Sequence, residues 1–144
     1  MRRRKFFIPL LMIVGVLNAC GNQETVQEIE GYEEFRDTVN NEDFSGFVYL
    51  LRNIDAHEGS HMQVIENTFS DVDETLTHSN WQYYDDTEKD MQNNDSRDSD
   101  IQPRNDKIIY IENGRNVSEF DINNRRIEDN EYQMELRQFI EINQ

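Results

Sequence analysis

Apolar residues recur along the chain at a few regular spacings, and the elements follow from them. Ile29, Tyr32, Phe35 and Val39 stand three and four apart, which gathers them on one face of an amphipathic helix. GFVYLL, residues 46–51, is an unbroken apolar run with β-branched and aromatic members. It predicts a central strand buried on both faces. Met62, Ile65, Phe69, Val72 and Leu76 repeat at 3, 4, 3 and 4 and predict the most regular helix, with a narrow core-facing stripe. WQYYD, residues 81–85, reads as a second strand. Residues 86–106 are crowded with Asp, Asn and Ser and predict a long loop. In KIIYIENGRNVSEFDI, residues 107–122, two strand-like runs flank Asn113-Gly114, the favoured dipeptide of a type I′ hairpin. Ile127, Tyr132, Leu136, Phe139 and Ile140 predict a C-terminal helix.

The order is helix, strand, helix, strand, loop, hairpin, helix. A strand, a crossover helix and a second strand form a right-handed parallel unit. The hairpin adds an antiparallel edge, which gives an α/β sandwich with a mixed four-stranded sheet and flanking helices.

The N-terminus changes the picture from fold to address. Arg2-Arg3-Arg4-Lys5 is a basic stretch, followed by an apolar core from Phe6 to Leu17. That core falls short of the roughly 20 residues of a membrane helix and reads as a signal segment. It ends in Leu17-Asn18-Ala19-Cys20, which resembles the lipobox of bacterial lipoproteins. The resemblance implies cleavage before Cys20 and acylation, including palmitate, on it. Residues 1–19 are then a signal peptide, residues 20–28 a lipidated cysteine and polar tether, and residues 29–144 the domain. The expected location is the extracytoplasmic face of the cell membrane, held by lipid.

Composition narrows the partners. The basic cluster Arg2–Lys5 precedes Cys20; without it the 14 Lys and Arg fall to 10 against 30 acidic residues, a net charge of −20. Such a surface repels nucleic acid and anionic headgroups. Cys20 is the sole cysteine, so the chain can form no internal disulfide. Residues 86–106 are rich in Asp but carry no EF-hand pattern.

The domain resembles the thioredoxin family. EEFRDTVNNEDFSGFVYLLR, residues 33–52, looks like the family's first helix and central strand. IIYIENGRNVSEF, residues 108–120, looks like its final hairpin, and ELRQFIEINQ, residues 135–144, like its terminal helix. The resemblance implies a thioredoxin-like sandwich and gives Pro103 the position of the family's cis-proline, next to Gln102. It also puts the family's Cys-x-x-Cys pair at Asp55 and Glu58. Disulfide exchange needs an attacking thiolate and a resolving thiol, and carboxylates supply neither.

DAHEGSHMQ, residues 55–63, carries His57-Glu58-Gly59-Ser60-His61, which matches the H-E-x-x-H signature of zinc proteases. The same residues have a plainer reading. Asp55 and Glu58 have capping-box spacing, and so do Ser60 and Gln63, so a helix can start at either place. A start at Asp55 leaves His57 and His61 on one helical face, as a shared metal requires. A start at Ser60 leaves His57 outside the helix. His78, Asp71 and Glu74 are generic candidates for a third ligand. The favoured expectation is a redox-inactive domain with a binding or accessory role, whose contact site comprises Asp55, His57, Glu58, His61, Gln102 and Pro103. No cofactor is expected beyond weak zinc at His57 and His61. The partner is expected to be an envelope protein or peptide, and the alternative activity is a small zinc-dependent hydrolase.

Overall fold

The computed structural model describes residues 25–52, 60–95, 107–123 and 125–144. Five strands form one sheet: β1 (Val26–Glu28), β2 (Gly46–Leu51), β3 (Leu76–Asn80), β4 (Lys107–Glu112) and β5 (Arg115–Asp121). Their order is β1-β3-β2-β4-β5. β1 and β2 each pair parallel with β3, whereas β4 is antiparallel to both β2 and β5. Four α-helices cover the faces: α1 (Tyr32–Val39), α2 (Ser60–Asp71), α3 (Asp86–Asp95) and α4 (Asn130–Glu141).

β2 shows why GFVYLL has no polar partner positions. Phe47, Tyr49 and Leu51 point into a core built with Ile65 and Phe69 of α2 and Leu136, Phe139 and Ile140 of α4. Val48 and Leu50 point the other way, toward Tyr32, Phe35 and Val39 of α1. Side chains alternate across a strand, so a strand between two helical layers must be apolar at every position.

The expected hairpin is present. Asn113 and Gly114 have φ of 52° and 69°, as a type I′ turn requires. The ladder between β4 and β5 slips at Tyr110/Ile111, where Ser118 and Asn116 are the successive partners and Val117 is the extra residue.

Several boundaries differ from the apolar pattern. The sheet has five strands rather than four, because Val26–Glu28, within the stretch expected as tether, pairs with Leu76–His78. The second strand is Leu76–Asn80, not 81–85; Trp81–Tyr83 is a 3-10 turn whose Gln82 N–H donates to the Asn80 side chain. Helix α2 stops at Asp71, so Leu76 belongs to the next strand. Asp73 takes a left-handed φ of 57°, and the N–H groups of Asp73 and Glu74 donate to the carbonyls of Ser70 and Phe69. That is a Schellman closure with Asp where Gly is commoner.

The expected loop at 86–106 contains α3. Its start is a capping box: Glu88 N–H donates to Asp85 Oδ1 at 2.8 Å, and Asp85 N–H donates to Glu88 Oε2 at 2.9 Å. The other oxygen, Oε1, accepts from Tyr32 N–H at 2.9 Å, so one carboxylate serves the N-termini of both α1 and α3. Ile29 and Ile127 lie outside the helices that their spacing suggested, yet both are buried beside them.

Candidate functional site

The topology brings several chain segments to one end of the sheet. β1, β3 and β2 run parallel, so Glu28, Asn80 and Leu51 finish there together. β4 runs the other way and enters there at Lys107, next to the pair Tyr49–Ile108. The crossover from β2 to β3 brings the beginning of α2, with Ser60 and His61, to the same end. In open α/β sheets, ligands bind outside the carboxyl ends of the strands.

Of the residues expected to form a contact site, His61 alone is described. It is half-buried on α2, and its Nδ1 is buried without a hydrogen-bond partner among the described residues. Asp55, His57, Glu58, Gln102 and Pro103 lie outside the described residues, as does Cys20. No group of three or more His, Cys, Asp or Glu able to hold a metal occurs among the described residues. Asp71 is ten residues along α2 from His61, about 15 Å at the helical rise, so the two cannot share an ion. Glu74 lies farther still along the chain. His78 is buried in β3, with Nε2 4.0 Å from Glu28 Oε1.

Two electrostatically opposite features flank this end. On the β1 side, a recess of about 260 Å³ is lined by Glu28, Glu30, Glu88, Ser79 and Tyr83. A wider groove of about 650 Å³ continues along α1 past Glu33, Glu34 and Asp37. Below the recess, Tyr84 donates to Ser79 Oγ at 2.7 Å, and Ser79 donates to the Ile29 carbonyl at 2.6 Å. Burial pushes the Tyr84 hydroxyl up to about 12, with the Glu88 charge adding to the effect and the Ser79 bond opposing it. Tyr84 therefore stays protonated at neutral pH and acts as a donor that ties β3 to the following turn.

On the β2 side, Trp81 opens the 3-10 turn. Arg52, the first residue after β2, lies over its ring with Cζ 4.8 Å from the centroid. Lys89 of α3 approaches the same ring, with Nζ at 5.1 Å. Each contact is a cation–π interaction of about 0.5–1 kcal/mol where solvent reaches it. The Trp81 Nε1 is buried and has no acceptor among the described residues. A buried donor left unmade costs about 1–3 kcal/mol. Periodicity missed this cluster because it read Trp81 as a sheet-face residue. An Asn before a turn and the Asp85–Glu88 capping box were the local signals for the turn and helix that assemble it.

Comparison with solved structures places the architecture. One solved structure, described as having a thioredoxin fold and proposed there to be an oxidoreductase, superposes with a TM-score of 0.50 at 12% sequence identity, covering 78% of this chain and 96% of that chain. The fold is thioredoxin-like. No family model and no curated protein matches the sequence. Arg52 follows β2, Trp81 follows β3 and Lys107 opens β4, so all three lie at the end of the sheet where the parallel strands finish. Lys107 is held in place by Glu119 at 2.7 Å and Asp121 at 3.4 Å; the Glu119 hydrogen bond raises the ammonium above its ordinary value and lowers the Glu119 carboxyl. No helix among the described residues is long and apolar enough to cross a membrane.

Proposed function

We propose that this protein is an extracytoplasmic lipoprotein whose thioredoxin-like domain binds a partner rather than exchanging disulfides. The observation that carries the reading is the pairing of a thioredoxin-like fold with a single cysteine, Cys20, which stands in a stretch resembling a lipobox and not after the central strand. Thiol exchange needs two thiols, or one thiol free to attack. A cysteine blocked by lipid at the start of the mature chain supplies neither. The contact surface proposed for the partner comprises Asp55, His57, Glu58, His61, Gln102 and Pro103, of which His61 lies on α2 among the described residues. The partner class is an envelope protein or peptide. Zinc at His57 and His61, if bound, is weak in this reading, since a firm site wants a third or fourth ligand.

Two measurements test it. In an insulin-reduction assay with dithiothreitol or a thiol reductase as electron donor, the purified chain is expected to give turnover no higher than a no-protein control. Sustained reduction above that control ends the redox-inactive reading. In cells fed a labelled fatty acid, wild type is expected to take up label and to be retained with the membrane. Cys20→Ala is expected to lose the label and to escape processing at Ala19-Cys20. Labelling and processing of the variant equal to wild type remove the anchor.

A further inference from the structure

Helix α1 does not cap its own N-terminus. Gly31 stands at the N-cap with a φ of 84° and brings no side chain. The acceptor comes from α3 instead, where Glu88 Oε1 takes the Tyr32 N–H at 2.9 Å. The same tyrosine is held at its other end. Its hydroxyl donates to Asp95 Oδ2 at 3.1 Å, and Arg36 of α1 reaches that oxygen at 3.5 Å. Burial, reinforced by the Asp95 charge, pushes the Tyr32 hydroxyl well above its ordinary value, so it remains a donor at neutral pH. Glu88 and Asp95 stand about two helical turns apart, and α3 thereby grips Tyr32 at both ends.

Little apolar surface backs this grip. α3 reads DTEKDMQNND, and of its 10 residues only Gln92 is buried. Met91 is its one apolar side chain, packed at the edge of the cluster that holds Tyr32, Phe35 and Tyr84. α4, by contrast, buries Tyr132, Leu136, Phe139 and Ile140. Hydrophobic stabilisation scales with the apolar area removed from water, so α3 adds little of it. Detached, so short a helix does not persist in water, and its last residues, Asn93, Asn94 and Asp95, are weak helix formers. We infer that α3 is a releasable strap, which detaches from α1 and unravels as a unit while the sheet, α2 and α4 stay folded, and which loosens the first turn of α1 as it leaves. Segments with few buried apolar contacts open at lower free energy than the core. Glu88 lines both the recess beside β1 and the groove along α1, so release takes one wall from each. The strap operates on the α1 face and needs no partner at the contact surface proposed above.

Hydrogen exchange resolved to single amides tests the strap, on the full chain in detergent and in urea below the unfolding transition. The amides of Asp90 to Asp95 are expected to exchange at least about a hundredfold faster than those of Val48, Tyr49 and Leu50 in β2. Their rates are expected to respond weakly to urea, because release exposes little surface. The Tyr32 amide is expected to keep pace with α3. Tyr32→Phe removes the bond to Asp95 and is expected to quicken α3 exchange about fivefold. Phe47→Leu weakens the core that stays folded during release, so it is expected to quicken β2 exchange and leave α3 exchange as in wild type. Circular dichroism reports that each variant is folded. Equal rates and equal urea dependence in α3 and β2 overturn the strap, as does a Tyr32 amide protected like those of β2. So does α3 exchange that follows β2 in Phe47→Leu or stays unchanged in Tyr32→Phe.

Discussion

Phe47→Ala is expected to lower the unfolding free energy by about 3–5 kcal/mol, the largest loss for any single truncation considered in this domain. Phe47 stands at the middle of the sheet on β2, with 1% of its surface exposed. Its ring meets Phe69 of α2 edge-on at 5.3 Å, Phe139 of α4 edge-on at 5.9 Å, and Tyr110 of β4 tilted at 4.9 Å. Aromatic pairs in such geometries add roughly 0.5–1.5 kcal/mol beyond the area they bury. Truncation therefore removes apolar burial, strips three elements of a shared partner and leaves a void that packed helices fill only in part. Phe47→Leu keeps most of the volume and is expected to cost well under half as much. Urea unfolding followed by far-ultraviolet circular dichroism measures both. A loss below about 1.5 kcal/mol for the alanine variant contradicts the placement of Phe47 at the junction of α2, α4 and β4.

The elements legible in the sequence are those whose stability is local. GFVYLL announces a two-sided strand because every side chain meets a helix, and Asn113-Gly114 announces the hairpin because only a few residues accept its backbone angles. The missed elements are held by distant partners. β1 is three residues, Val26–Glu28, with Gln27 and Glu28 exposed; only its ladder to β3 makes it a strand. β3 reads LTHSN, polar at four of five positions, yet every residue is buried. Ser79 is satisfied by the Ile29 carbonyl and Tyr84 hydroxyl, groups that no spacing rule connects to it. α3 carries few apolar residues and is secured at its start by Asp85 and Glu88. The same reasoning separates the two parts of the site. The motif at 55–61 is contiguous and visible by inspection. The Arg52–Trp81–Lys89 cluster draws on three elements and exists only once the sheet is ordered.

Gly114→Ala is expected to destabilise the fold by about 2–5 kcal/mol, although the site is a turn far from the main core. Two independent costs combine. Gly114 has a φ of 69°, in the left-handed region, where an added Cβ costs roughly 1–2 kcal/mol. That Cβ would also sit 2.8 Å from the Asn41 carbonyl oxygen and 2.8 Å from Glu42 Cα. Both are backbone atoms, so no side chain can swing aside, and overpacking of this kind adds roughly 1–3 kcal/mol. The close approach has a purpose. Gly114 N–H donates to the Phe44 carbonyl at 2.9 Å, and Asn113 N–H donates to Ser45 Oγ at 3.0 Å, which fastens the hairpin tip to the segment between α1 and β2. A displaced tip loses those bonds and shifts β4 against β2, the strand that leads into the proposed contact surface. Asn113→Gly provides the contrast. Asn113 also has a positive φ, of 52°, but glycine accepts that angle freely, so the change is expected to stay within about 1 kcal/mol. Equal stability of Gly114→Ala and wild type would show that the hairpin does not pack against Asn41 and Glu42 in solution.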